Sequence, residues 1–317
     1  MSLNALTRLL NIKYPIIQGG MGNISNAILT VAICEAGGLG TIGAGTMTPA
    51  EIEKIIIETK KRTNHPFAIN IALTISPYVE EILQLIIKHH VPIVSLSAGN
   101  PAPYISLLHE RQIKVITVVA SVRQAIKAEA AHADVIVAEG YEAAGVNSKY
   151  ESTTLVLIPQ IVQSVRIPVV AAGGIGDGSG LAAMLALGAS GVQMGTRFIA
   201  TKEAPFHEEY KKQIIEGNDH CTAIIGRSVG KIRRVIRTEY AEELLNSEKN
   251  GITLEEFALL TSEKVHLIGA LEGNGKAGFM NSGQIAGLIH DLPSVEELLT
   301  NMMNDAKFQL NQAVRQF

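Results

Sequence analysis

The chain is predicted to be an α/β protein, a (β/α)8 TIM barrel with a helical insertion toward its C-terminal end. Three observations lead there. Eight short runs rich in β-branched residues alternate with helix-period segments, most of the runs are apolar throughout, and the alternation stops after Phe198. Such alternation marks βαβ units, and an unbroken apolar run suits a parallel strand covered by helices on one face and barrel interior on the other. At 317 residues the chain exceeds a bare barrel of about 250 residues, leaving room for an insertion. A doubly wound open sheet is the rival, but its usual complement of about six strands would leave two units unused.

The strands are read at residues 15–18, 39–42, 67–71, 93–97, 115–119, 135–139, 168–172 and 191–194. The first intervening helix is expected to start at Ser25, a good N-cap type, and to run to Ala36 before Gly37 and Gly38 end it. Thr48 and Pro49 open the next, with proline at N1 and Glu51 and Glu53 in the first turn. Segments 121–132 and 153–165 follow the same grammar. Residues 203–271 contain no clear βα repeat and read as several helices, among them 241–247 and 254–261. Residues 1–202 and 272–317 are therefore assigned to the barrel and 203–271 to a helical lid. A glycine-rich stretch at 273–278 leads back to a final helix at 294–313.

The net charge of −3 carries no electrostatic footprint of nucleic-acid binding. Cys34 and Cys221 lack CxxC spacing and read as core thiols, which fits a reducing cytoplasm. No unbroken apolar stretch reaches about 18 residues, so no membrane span is expected. The opening segment, interrupted by Arg8 and Lys13, has no signal-peptide core. No His/Cys spacing suits a metal, and no Ser/His/Asp constellation is visible. The expectation is a cytoplasmic enzyme without a metal.

The strongest chemical signal lies at the ends of the seventh and eighth predicted strands. PVVAAGGIGDGSG ends its strand at Ala172, Gly173 and Gly174 and opens a helix after Asp177, while GVQMGTRF ends its strand at Gly195 and Thr196. Glycines let backbone N–H groups approach an anion closely, and a helix N-terminus adds unpaired donors. Barrels frequently build a phosphate site from these two loops. The plainer alternative, that the glycines only make tight turns, would suffice for one such loop but not for two on consecutive strands. A second cluster, Gln18, Gly19, Gly20, Met21 and Gly22, ends the first strand and either admits a flat cofactor or simply turns the chain. Asn70, polar in the apolar run PFAINIALT, is either a cofactor-edge amide or a satisfied core amide.

PIIQGGMG, AGGLGTIGAG, PFAINIAL, SAGNP, AEGYEAAG, PVVAAGGIGDG, GVQMGTRF and SGQIAGLI, in this order over nearly the whole chain, resemble the nitronate monooxygenase (2-nitropropane dioxygenase) and FMN-dependent enoyl-ACP reductase II family. The resemblance implies an FMN barrel with a helical insertion. It implies that Met21, Gly22 and Asn70 line the isoalloxazine, and that Gly173, Gly174, Gly195 and Thr196 take the phosphate. Gln18, Gly20, Glu139, Gly145, Ala172, Gln193, Ser282 and Gln284 complete the expected cofactor set.

Two departures from the family pattern matter. After the sixth strand the family commonly carries a histidine that faces the flavin; here the matching position is Val146, which cannot transfer a proton. Asn147 and Ser148 are the candidate substitutes if the loop shifts by one residue, and otherwise only shape it. None of the nine histidines, such as His65, His109 or His207, sits in a replacement motif. Some nitronate-oxidising relatives have a lysine at the end of the fifth strand, where this chain has Val118 and resembles the enoyl reductases. The cationic run Arg227, Lys231, Arg233, Arg234 and Arg237 reads as a solvated or inter-subunit face, or else as a receiver for a phosphate.

The expected activity is oxidation of alkyl nitronates with O2, since a nitronate is already deprotonated and needs no base. Reduction of an enoyl-ACP or enoyl-thioester by NADH or NADPH is the alternative, and a flavin-binding protein with a decayed site is the alternative of another class. A dehydrogenase of the IMP type would need a nucleophilic cysteine after the sixth strand, and residues 141–150 hold none. The partners expected are a small-molecule or acyl-thioester substrate, with neither nucleic acid nor membrane, and a homodimer is compatible with this reading.

Overall fold

A computed structural model describes residues 4–316. Its strands in chain order are β1 (Ile16–Gln18), β2 (Gly40–Gly43), β3 (Phe67–Ala72), β4 (Ile93–Ser97), β5 (Lys114–Val119), β6 (Val135–Glu139), β7 (Gly145–Val146), β8 (Val169–Ala172), β9 (Gly191–Met194), β10 (Thr222–Ile225) and β11 (Arg233–Ile236). All but β7, β10 and β11 form one parallel sheet in the order β1-β9-β8-β6-β5-β4-β3-β2. The two ends of that order meet. Ile17 bridges Leu39 in parallel, the Gln18 N–H donates to the Leu39 carbonyl at 2.9 Å, and the Leu39 N–H donates to Ile16 at 2.9 Å. Each of the eight barrel strands falls where the apolar runs predict it, to within a residue at either end.

The helices are α1 (Ala5–Leu10), α2 (Ala27–Glu35), α3 (Pro49–Arg62), α4 (Val79–Lys88), α5 (Ala102–Glu110), α6 (Val122–Ala130), α7 (Thr154–Ser164), α8 (Gly178–Ala186), α9 (Thr196–Ile199), α10 (Glu208–Ile215), α11 (Glu239–Lys249), α12 (Leu254–Leu260), α13 (Glu263–Ala270) and α14 (Val295–Val314). Among the described residues none is long and apolar enough to cross a membrane. Helix α3 starts where Thr48 and Pro49 predict, and it adds a capping box in which Thr48 and Glu51 serve each other's backbone N–H. The cap of α2 is Asn26 rather than Ser25, because the Ser25 hydroxyl instead accepts the Gly43 N–H at 2.8 Å.

Two apolar layers hold the barrel. Alternate strand residues split between them: Ile16 and Ile136 join the shell under the helices, whereas Ile17, Val135 and Val137 fill the interior with Leu6 and Leu10 of α1. Helix α1 thus plugs the end of the barrel where the strands begin. Any site must open at the other end, where the strands finish.

The insertion is not purely helical. Strands β10 and β11 pair antiparallel, and β7 joins them with Val146 opposite Arg233 and Gly145 opposite Arg234. Four-residue strands separated by a glycine-containing turn give too short a pattern to reveal themselves, and the adjacent arginines mask what alternation there is. The insertion has an apolar core of its own, including Ile225, Val235, Leu244 and Phe257, and Phe279 of the segment that follows packs into it. The pairing with β7 places this unit over the mouth of the barrel.

Candidate active site

A cavity of about 780 Å³ opens at the C-terminal ends of the strands, the face on which barrels place their chemistry. One side is built by β8 and β9. Beyond Ala172, Gly173 and Gly174 have φ of +98° and +72°, a region that side chains other than glycine rarely adopt. At Gly195 a Cβ would meet no protein atom within 4 Å, so the missing side chain leaves space on the cavity side. Thr196 opens the one-turn helix α9, and its hydroxyl accepts the Gly283 N–H at 2.9 Å while keeping its own proton to donate. Glycine backbone of this kind, with the Thr196 hydroxyl beside it, could hold a phosphate monoester. The α8 terminus adds less than the sequence suggests, because the Asp177 carboxylate already accepts the Gly180 N–H at 2.7 Å. Nor does Arg197 reach in: it is buried and held by Asp291 at 2.7 Å.

Across the cavity, Gly20, Met21 and Gly22 follow β1, and Asn70 lies against Gly20, where a Cβ would sit 2.5 Å from its Oδ1. The Asn70 amide nitrogen is within 3.2 Å of the Ser95 carbonyl and hydroxyl and 3.1 Å from the Ser97 hydroxyl. Its donor capacity is therefore directed into the protein, and the carbonyl oxygen is left to accept. Gln193 packs toward Gly19 on the same wall. Glu139, the last residue of β6, lines the floor with its surface turned to the cavity, and burial pushes its carboxyl up to about 7.

Three residues of the expected cofactor set are not brought to the wall. The Gln18 side chain is buried and accepts the Thr41 N–H at 2.9 Å, a structural task. Ser282 is fully buried and Gln284 lies outside the cavity, although their neighbours Asn281 and Gly283 line it. The turn works as a latch: the Gln284 N–H donates to the Glu142 carbonyl at 2.9 Å, tying the post-β6 loop to the end of the insertion.

The remaining wall comes from β7 and the insertion. Gly145 takes φ +71°, and Val146 is half exposed. Asn147 donates to the carbonyls of Ala143 at 2.9 Å and Gly145 at 3.1 Å, and the Ser148 hydroxyl accepts the Tyr150 N–H at 3.2 Å. Both candidate substitutes for the missing histidine are thus engaged in shaping their loop.

The sequence reading missed a polar cluster in this wall. His266 of α13 is buried, stacks on Phe279 at 5.1 Å, and has Nε2 3.2 Å from the Asn281 amide nitrogen. Its Nδ1 lies 3.6 Å from Glu263 Oε2. Burial pushes the Glu263 carboxyl up, but His266 and Arg233 outweigh it and hold the group below its ordinary range. Tyr210 is kept protonated by burial and donates to the Asn281 carbonyl, fixing the backbone beside this amide. No local motif announces His266, because 120 residues separate it from Val146 (266 − 146) and only the tertiary fold brings both to one cavity.

Comparison with known proteins agrees with this geometry. The family model described as nitronate monooxygenase matches residues 4–305. A probable nitronate monooxygenase of Staphylococcus saprophyticus is 33% identical, with 96% of this chain and 98% of the relative covered. A (3aS,4S,5R,7aS)-5-hydroxy-7a-methyl-1-oxo-octahydro-1H-indene-4-carboxyl-CoA dehydrogenase of Mycobacterium tuberculosis is 32% identical, with 97% of each covered. Among solved structures, FabK from Thermotoga maritima superposes with a TM-score of 0.95 at 38% identity, covering 100% of both chains.

Proposed function

The chain belongs to the nitronate monooxygenase family of flavin-dependent oxidoreductases, and on that premise we propose that it binds FMN and oxidises alkyl nitronates with O2. The observation that carries this reading is Val146. The position from which the family's histidine would act is aliphatic and half exposed to the cavity. A nitronate arrives already deprotonated, so its oxidation requires no base there. Bound in the cavity, FMN would supply the electron-transfer and oxygen chemistry. Gly173, Gly174, Gly195 and Thr196 would hold its phosphate. Met21, Gly22 and Asn70 would line the ring, with Asn70 offering an acceptor to its edge. Val146 would offer an aliphatic surface beside a bound substrate, with no group there to exchange a proton.

A second reading, NAD(P)H-dependent reduction of an enoyl-thioester, is favoured by the extent of the likeness to FabK, an enoyl-ACP reductase. Two mixing experiments on the purified yellow protein separate the two. The nitronate reading predicts oxygen uptake with propyl-2-nitronate and only slow anaerobic bleaching of the flavin by NADH or NADPH. Rapid bleaching by either nicotinamide, with no oxygen uptake on nitronate, would transfer the assignment to the reductase.

A further inference from the structure

Four arginines line the stretch from residue 227 to 237, and three have protein partners. Arg227 pairs with Glu151 at 3.0 Å, Arg237 with Glu242 at 2.6 Å, and the Arg234 guanidinium donates to the Tyr141 carbonyl at 3.0 Å. Arg233 has no hydrogen-bond or ion-pair partner for its guanidinium among the described residues, and it is the one of the four that lines the cavity. It sits directly across the β7–β11 ladder from Val146. Its guanidinium lies over the Phe279 ring, 4.8 Å from the centroid. Stacking on an aromatic face uses the plane of the group and leaves its N–H edge to point at a ligand. Glu263 favours the charge from a distance, but burial opposes it. An anion entering the cavity would give this unpaired cation a partner.

We propose that Arg233 is the anion-binding group of this active site, receiving the two oxygens of a planar substrate oxyanion beside Val146. A guanidinium presents two parallel N–H bonds at the spacing of a nitronate or carboxylate. The insertion thus provides a positive charge where the barrel loop lacks a titratable one. Substrate is selected for being ionised before it arrives. The identity of the anion as a nitronate rests on the function proposed above; the anion site itself stands on Arg233.

Calorimetric titration of the flavin-loaded protein with sodium nitrate tests this, nitrate being a planar oxyanion with no carbon to oxidise. Wild type should bind nitrate. R233Q should weaken that binding at least tenfold, and R233K should fall between them, keeping the charge but losing the fork. R237Q, altering a surface pair, should match wild type, and flavin content should be the same in all four proteins. The KM for propyl-2-nitronate should rise in R233Q by a larger factor than kcat falls. Nitrate binding that is absent in wild type, or unchanged in both R233Q and R233K, overturns the proposal. If R233Q does not fold, R233K decides: full wild-type affinity there would contradict bidentate recognition. Nitrate binding that depends on Arg233, in a protein that turns over no nitronate, would support the anion site and sink only the nitronate assignment.

Discussion

Glu139 shows how much a single residue contributes when its surroundings are known. Its carboxyl is pushed up by burial from 4.5 to about 7. A raised folded-state value means that the folded protein binds this proton more tightly than the unfolded chain does. The resulting stabilisation is complete below about pH 4.5 and is lost as pH rises through about 7. The shift corresponds to roughly 3 kcal/mol over that window. Melting curves of the flavin-free protein should therefore show E139Q matching wild type near pH 4.5 and exceeding it above pH 7. Equal pH dependence of the two would show that Glu139 titrates normally. The sequence marks this glutamate as a strand end and, through the family resemblance, as an expected cofactor neighbour, but not its raised pKa, because its environment is set by residues far away in the chain. Val146, by contrast, was legible as a departure from a motif, and Arg233 stands opposite it in the structure.

At the level of elements, legibility followed length and periodicity. The eight barrel strands were readable because each is a continuous run such as VVAA or VIVAE, bounded by turns. Strands β10 and β11 were not, being four residues each; they pair with each other, and β11 pairs further with β7, where Arg233 meets Val146 87 residues back in the sequence (233 − 146). Helix α8 illustrates a close contact that sequence alone cannot show. Its first residue, Gly178, meets α14, and a Cβ there would lie 2.4 Å from the Asp305 Cβ and 2.8 Å from the Met302 carbonyl oxygen. Because two of its near neighbours are backbone atoms, α14 would have to move. G178A should cost about 2 kcal/mol in urea unfolding through overpacking. A stability equal to wild type would mean that α14 adapts without loss.

For the whole molecule, the proposed division of labour is a barrel that anchors and an insertion that selects. The plug of α1 forces the site to the strand ends, the glycines after β8 and at the end of β9 line one side of the cavity, and the β7–β11 ladder brings Arg233 from the insertion to another wall. The glycine side of the cavity was the most legible part of its lining, because it depends on two local motifs. The polar wall was the least, because Arg233, Glu263, His266 and Asn281 come from segments with no motif linking them. The anchor is tested most directly by fluorescence titration of the flavin-free protein with FMN and with riboflavin, which differ by the phosphate alone. If Gly173, Gly174, Gly195 and Thr196 hold that phosphate, FMN should bind at least tenfold tighter, a difference of about 1.4 kcal/mol or more. Equal affinities, or no binding of either flavin, would contradict the account.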